Sequence, residues 1–175
     1  DRQDTAALKT LPVADIRLDG VDFYLLTPRE NFGRSLVLLK GEARPSLPAR
    51  PQQVAPVDAQ VDVLYVLCGA IGAAAPTGTP CITVTAAYAD GAAAETELRY
   101  GVDIGPVVHP APCPNWTPAW TVGSGTEKIG LGVSEWHNPH PEKTIAHLRF
   151  ESPEGGPVPL LAAVSLKPTA DPDAE

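Results

Sequence analysis

Methionine is absent from the 175 residues, cysteine occurs three times, and aromatic side chains make up only 6%. A chain that starts at Asp1 without Met reads as a fragment of a longer precursor, so the lack of a leader carries no information. Three cysteines are too few for a disulfide-built scaffold, and an odd number leaves one thiol free or paired outside the chain. No apolar run approaches the ~20 residues that a membrane-crossing helix needs. Basic residues are outnumbered by acidic ones, 13 to 21, and lie scattered singly, which argues against nucleic acid as a partner. G-x-S-x-G, H-E-x-x-H, Walker and G-x-G-x-x-G motifs are all missing. No segment sustains a helical period.

Alternation is present instead. Ile82, Val84, Ala86 and Tyr88 alternate with Thr83, Thr85 and Ala87. Beyond Asp90-Gly91, Thr96, Leu98 and Tyr100 alternate with Glu95, Glu97 and Arg99. Period two on both sides of a D-G step predicts a hairpin and an antiparallel all-β fold. Further strands are expected at Val21–Leu26, Ser35–Lys40, Val61–Leu67, Ile129–Trp136, Thr144–Ser152 and Pro159–Leu166. A turn is expected over 27–33. Most of the twenty prolines and fifteen glycines fall between these segments, as in a loop-rich sandwich or jelly roll. Residues 1–19 read as a linker with one edge strand, 20–166 as the domain, and 167–175 as a tail. Residues 41–60 read as an extended surface connection. Residues 101–128 read as a long aromatic-bearing loop, of the kind that is functional when ordered. Leu64, Val66, Ile82, Val84, Leu98, Leu148, Phe150 and Leu161 are expected in the core.

Several blocks follow in a fixed order: G-V-D-F-Y-L-L (20–26), R-S-L-V-L-L-K-G (34–41), V-D-V-L-Y-V-L (61–67), Y-A-D-G (88–91), L-R-Y-G-V-D-I-G (98–105), S-E-W-H-N-P-H-P-E-K-T-I (134–145) and P-L-L-A-A-V-S-L (159–166). In these the chain resembles the galactose-binding-domain-like β-sandwich modules that accompany catalytic domains in bacterial polysaccharide-degrading enzymes. The resemblance implies a jelly-roll sandwich and a non-catalytic carbohydrate-binding role. It also implies a polysaccharide or oligosaccharide ligand, a catalytic domain in the same parent chain, and an extracellular or periplasmic location. Such modules often carry a structural Ca²⁺, for which Asp19, Asp22 and Glu151 are the candidate ligands. The three cysteines and the Ala/Gly/Pro insert at 69–80 depart from the pattern. The alternative class is a structural or protein-docking sandwich that binds no sugar.

The expected ligand surface is Arg99, Tyr100, Asp103, Asn115, Trp116 and Trp120. Two tryptophans four apart in P-N-W-T-P-A-W would stack on sugar rings, while Arg99, Asp103 and Asn115 bond hydroxyls. The competing reading is that one or both rings cap the core beneath the loop. Trp136 reads as core, with Asn138-Pro139 shaping the turn after it. His137 and His140 lie three apart, but neither His109 nor His147 has the spacing to complete a zinc site. Asp103 and Glu135 are the carboxylates nearest in kind to a glycoside-cleaving pair, and neither has a distinguishing context. The chain is therefore expected to be non-catalytic and without a cofactor, Ca²⁺ apart. Cys68 and Cys81 could bridge the 69–80 loop only if their strands are neighbours.

Overall fold

The Asp90-Gly91 hairpin forms as its alternation predicts. Gly91 takes the left-handed φ of 88° that the turn requires, and Asp90 Oδ1 accepts the Ala92 N–H at 2.9 Å. The computed structural model describes residues 8–26, 36–51, 55–72 and 75–169. Its strands are β1 (Ala14–Leu18), β2 (Val21–Leu25), β3 (Val37–Leu38), β4 (Ala55–Ile71), β5 (Pro80–Tyr88), β6 (Ala93–Arg99), β7 (Trp116–Val122), β8 (Ile129–His137), β9 (Thr144–Glu151) and β10 (Val158–Pro168). Among the described residues the only helical pieces are two 3₁₀ turns, Leu8–Thr10 and Gly125–Glu127. The expected turn over 27–33 and the end of the tail past 169 lie outside the described residues.

Every pairing between these strands is antiparallel; β1 and β2 form a separate two-stranded hairpin, and β3 to β10 form two sheets in a sandwich-like arrangement. The first sheet runs β3-β10-β4-β8-β7 and the second β4-β9-β5-β6. Both sheets use β4. Residues Ala55–Gln60 of β4 pair with β9, and from Val61 onward the strand pairs with β8 and β10. Its register breaks between Pro56 and Ala59, where Asp58 has a φ of 51°. An extra, left-handed residue bends and twists a strand, which lets β4 turn the corner between sheets.

The eight expected core residues all lie in the cluster between the sheets, with Cys68, Ala86, Trp116 and Trp136. A second cluster lies on the outer face of the first sheet. There the β1–β2 hairpin presses Leu18, Phe23 and Leu25 onto Leu67, Leu131, Val133 and Leu160. The first sheet is thus covered on both faces, which explains why β4 and β8 carry apolar residues on both.

Three segments differ from expectation. Residues 55–60, expected as connection, are strand, because the bend brings them alongside β9. The 101–128 loop contains β7, which pairs only with β8 and carries Pro118 at this sheet edge, where a missing N–H is tolerated. β3 pairs over two residues, Val37 and Leu38, within the longer strand expected there.

Asn138 closes one end of the sandwich. Its amide donates to the carbonyls of Val61 at 2.9 Å and His140 at 3.1 Å, while its Oδ1 accepts the Tyr88 hydroxyl at 2.6 Å. One buried side chain thereby ties β4, β5 and the β8–β9 turn together.

All three cysteines are free thiols. Cys68 sits in the first sheet and Cys81 in the second, both buried in the same core. Burial pushes the Cys81 thiol from its ordinary 9.0 up to about 12, and pushes Cys68 higher still, reinforced by the neighbouring Cys81. A raised folded-state value means full stability below the unfolded thiol value and loss above it. Stability is therefore expected to fall above about pH 9, at roughly 2–3 kcal/mol per pH unit from these two thiols. Urea melts from pH 7 to 11 check this, and a Cys68→Ala/Cys81→Ala double variant should flatten the slope. Native thiol titration should label Cys113 first, and all three cysteines should react once the chain is denatured.

Candidate functional site

The expected ligand loop leaves β6 through R-Y-G-V-D-I-G, and most of its polar groups are used internally. The Arg99 carbonyl accepts N–H groups from Val102, Asp103 and Ile104 at 3.2, 2.8 and 3.1 Å. Gly101 makes the turn possible with a φ of 71°. One Asp103 oxygen accepts the Arg99 N–H and the other the Asn115 amide, each at 2.8 Å. Asn115 N–H returns to the Val102 carbonyl at 2.8 Å. The Arg99 guanidinium binds Glu97 and, at 3.0 Å, the Gly78 carbonyl. Tyr100 is buried in the core. Asp103 is thus a brace that holds the start of the loop to its end.

The two tryptophans do not form a shared platform. Trp116 is 1% exposed, and its indole donates to the Cys68 carbonyl at 3.1 Å. Residues four apart in a regular strand share a face, but β7 is irregular between Pro118 and Trp120. The extra residue reverses the parity. Trp116 packs between the sheets, while half-buried Trp120 packs against the hairpin-side cluster on the opposite face. The structure places the expected residues apart: Tyr100 and Trp116 are core, Arg99 and Asp103 are engaged by neighbours, and Trp120 faces away from Trp116. Trp136 is core as expected, on the same face of β8 as Ser134.

A different constellation forms on the outer face of the first sheet. There β8 runs Ile129, Leu131 and Val133 beneath the hairpin, then Glu135 and His137 in the open. The switch from apolar to polar marks where the hairpin cover ends. Asp19, with a φ of 49° in the tight β1–β2 turn, overhangs this point. A cleft of about 330 Å³ results, lined by Asp19, Pro114, Asn115, Trp116, Thr117, Val133, Glu135 and His137. His137 Nε2 lies 3.6 Å from a Glu135 carboxylate oxygen. Half-buried Tyr65 pairs in register with Glu135 across β4 and β8, on the same face, and packs against the hairpin-side cluster.

Of the expected site residues, Asn115 and Trp116 line this cleft, joined by Asp19, Glu135 and His137 from the metal and catalytic candidates. Thr117 and Tyr65 were not anticipated. Alternation within V-D-V-L-Y-V-L puts Tyr65 on the face of Val63 and Leu67, but its pairing with Glu135 is a long-range fact. The calcium candidates do not converge. Asp22 bonds Arg17 at 3.5 Å on the hairpin, and Glu151 approaches Arg50 at 4.0 Å on the second sheet. Among the described residues no group of three acidic, His or Cys side chains could hold a metal. His140 is turned to Glu142 at 3.6 Å and edge-on to Tyr88, away from His137's cleft.

Comparison with known proteins finds no matching family model, no matching curated protein and no matching solved structure.

Gly105 and Gly132 flank the Trp116 indole so closely that a Cβ at either would overlap the ring. Gly105→Ala is expected to cost about 1–3 kcal/mol by overpacking, and Trp116→Ala about 3–5 kcal/mol by leaving a cavity. Trp120→Ala, on a half-buried ring, should cost roughly 1–2 kcal/mol. Thermal melts of the three variants give this order directly.

Proposed function

We propose that the chain is a non-catalytic accessory module of the jelly-roll, galactose-binding-like type, and that it binds carbohydrate in the cleft between Asp19, Thr117 and Glu135. The observation that carries the reading is the cleft's chemistry. Five of its lining side chains, Asp19, Asn115, Thr117, Glu135 and His137, are hydrogen-bonding groups around a small apolar floor of Val133. That combination suits a hydroxyl-rich ligand, which needs convergent donors and acceptors more than a large apolar cavity. The resemblance set out above supports the same role, within a secreted or periplasmic polysaccharide-degrading enzyme.

A protein-docking role is the second reading, favoured by the exposed Val13, Tyr24, Leu26 and Val37. The first three flank or belong to the β1–β2 hairpin, and Val37 lies on the edge strand β3.

With few net hydrogen bonds and no open stacking ring, sugar affinity should fall in the high-micromolar to millimolar range. Calorimetry against neutral oligosaccharides is expected to show such binding. Thr117→Val and Glu135→Gln should each weaken it about five-fold or more, with Tm shifted by no more than about 2 °C. Saturable binding that ignores both substitutions would move the site elsewhere. An absence of binding to every glycan, with retention of a separate catalytic domain on the immobilised module, would put docking first.

A further inference from the structure

The cleft is electrostatically one-sided. Asp19 reaches it from the hairpin turn and Glu135 from β8, two carboxylates delivered by independent elements. A third, Asp103, stands one hydrogen bond behind the lining, holding the Asn115 amide at 2.8 Å. Among the described residues neither Lys nor Arg lines the cleft, and the one basic side chain there, His137, is already beside Glu135 at 3.6 Å. Lys167 pairs with Val63, which in turn pairs with His137, so this lysine stands two strands away, about 10 Å at ordinary strand spacing. Arg17, on the hairpin, is held by Asp22 at 3.5 Å. A uronate or sulfated sugar would place a fixed anion among these carboxylates, with neither Lys nor Arg among the described lining residues to meet it. A protonated amine would meet a carboxylate on either wall, and donate the hydrogen bonds that carboxylates accept.

We infer that the cleft selects sugars bearing a free amine, such as glucosamine units, over N-acetylated and anionic ones; this rests on the carbohydrate-binding role proposed above. The acetyl group removes the charge and two of the ammonium's three donors, so discrimination comes from the amine rather than from ring shape. Because the cleft is open, the preference depends on salt, with charge interactions screened beyond about 8 Å at physiological ionic strength.

The test titrates the full chain with glucosamine, N-acetylglucosamine and uronate oligomers of equal length, at low and high salt. The amine oligomer should bind at least five-fold tighter than the acetylated one in low salt, and the uronate weakest. The gap should close near 0.5 M salt. It should also close in Asp19→Asn and Glu135→Gln, while persisting in Glu95→Gln. The last variant removes the same unit of charge from the exposed outer side of β6, and so separates cleft recognition from the pull of a chain with net charge −8. Acetylated and amine oligomers binding equally would overturn the inference and leave the carbohydrate role standing. So would a preference that Glu95→Gln abolishes as well as Glu135→Gln does. Failure of all three glycans to bind would overturn both.

Discussion

The Trp116 indole is the contact on which the site end of the sandwich depends. It lies between Gly105 of the loop and Gly132 of β8, and donates its N–H to the Cys68 carbonyl of β4. Those contacts fasten three parts of the chain to one ring. A large aromatic removes much apolar surface from water, but only if its polar N–H is satisfied and its faces are met closely. Glycine on both sides meets the second condition, and the Cys68 carbonyl meets the first. With Trp116 fixed, residues 113–117 are pinned against β8, and Asn115 and Thr117 stand at the cleft rim.

The cleft itself follows from unequal cover over the first sheet. The β1–β2 hairpin is short, so it buries Leu131 and Val133 but not Glu135 or His137 on the same face of β8. A longer hairpin would have demanded apolar residues at those positions. A sheet covered on both faces for most of its length, then released at one end, makes a step with a polar tread and an apolar riser. Asp19 sits at that step because the hairpin has to turn there, with Asp19 and Gly20 both at positive φ.

Much of this fold can be read from alternation. The β5–β6 hairpin, the inward set on β9, and the opposed faces of β8 follow from residue order alone, since one face of each must be buried. The parts that could not be read depend on single irregularities. The extra residue between Pro118 and Trp120 sends two tryptophans to opposite sides, and no local signal beyond the proline marks it. The bend at Asp58 turns six residues of apparent connection into a strand. Site membership was less legible for a related reason. Asp19, Thr117 and Glu135 are adjacent only through the hairpin's placement and the β7–β8 register, both set by distant contacts.

The blocks that look most distinctive in the sequence turn out to act as fold locks. In R-Y-G-V-D-I-G, the aspartate braces a turn and the tyrosine fills core. In S-E-W-H-N-P, alternation divides the labour: Ser134, Trp136 and Asn138 are buried, whereas Glu135 and His137 face the cleft. The inward set is constrained by packing, and Asn138 also by hydrogen bonds that would be costly to orphan. The outward set carries no such constraint, because Glu135 and His137 contact each other and solvent. Ligand chemistry can therefore vary at the outward positions while the inward ones keep the same sandwich. A resemblance carried by the locks speaks to architecture, and any ligand preference has to be read from the residues between them.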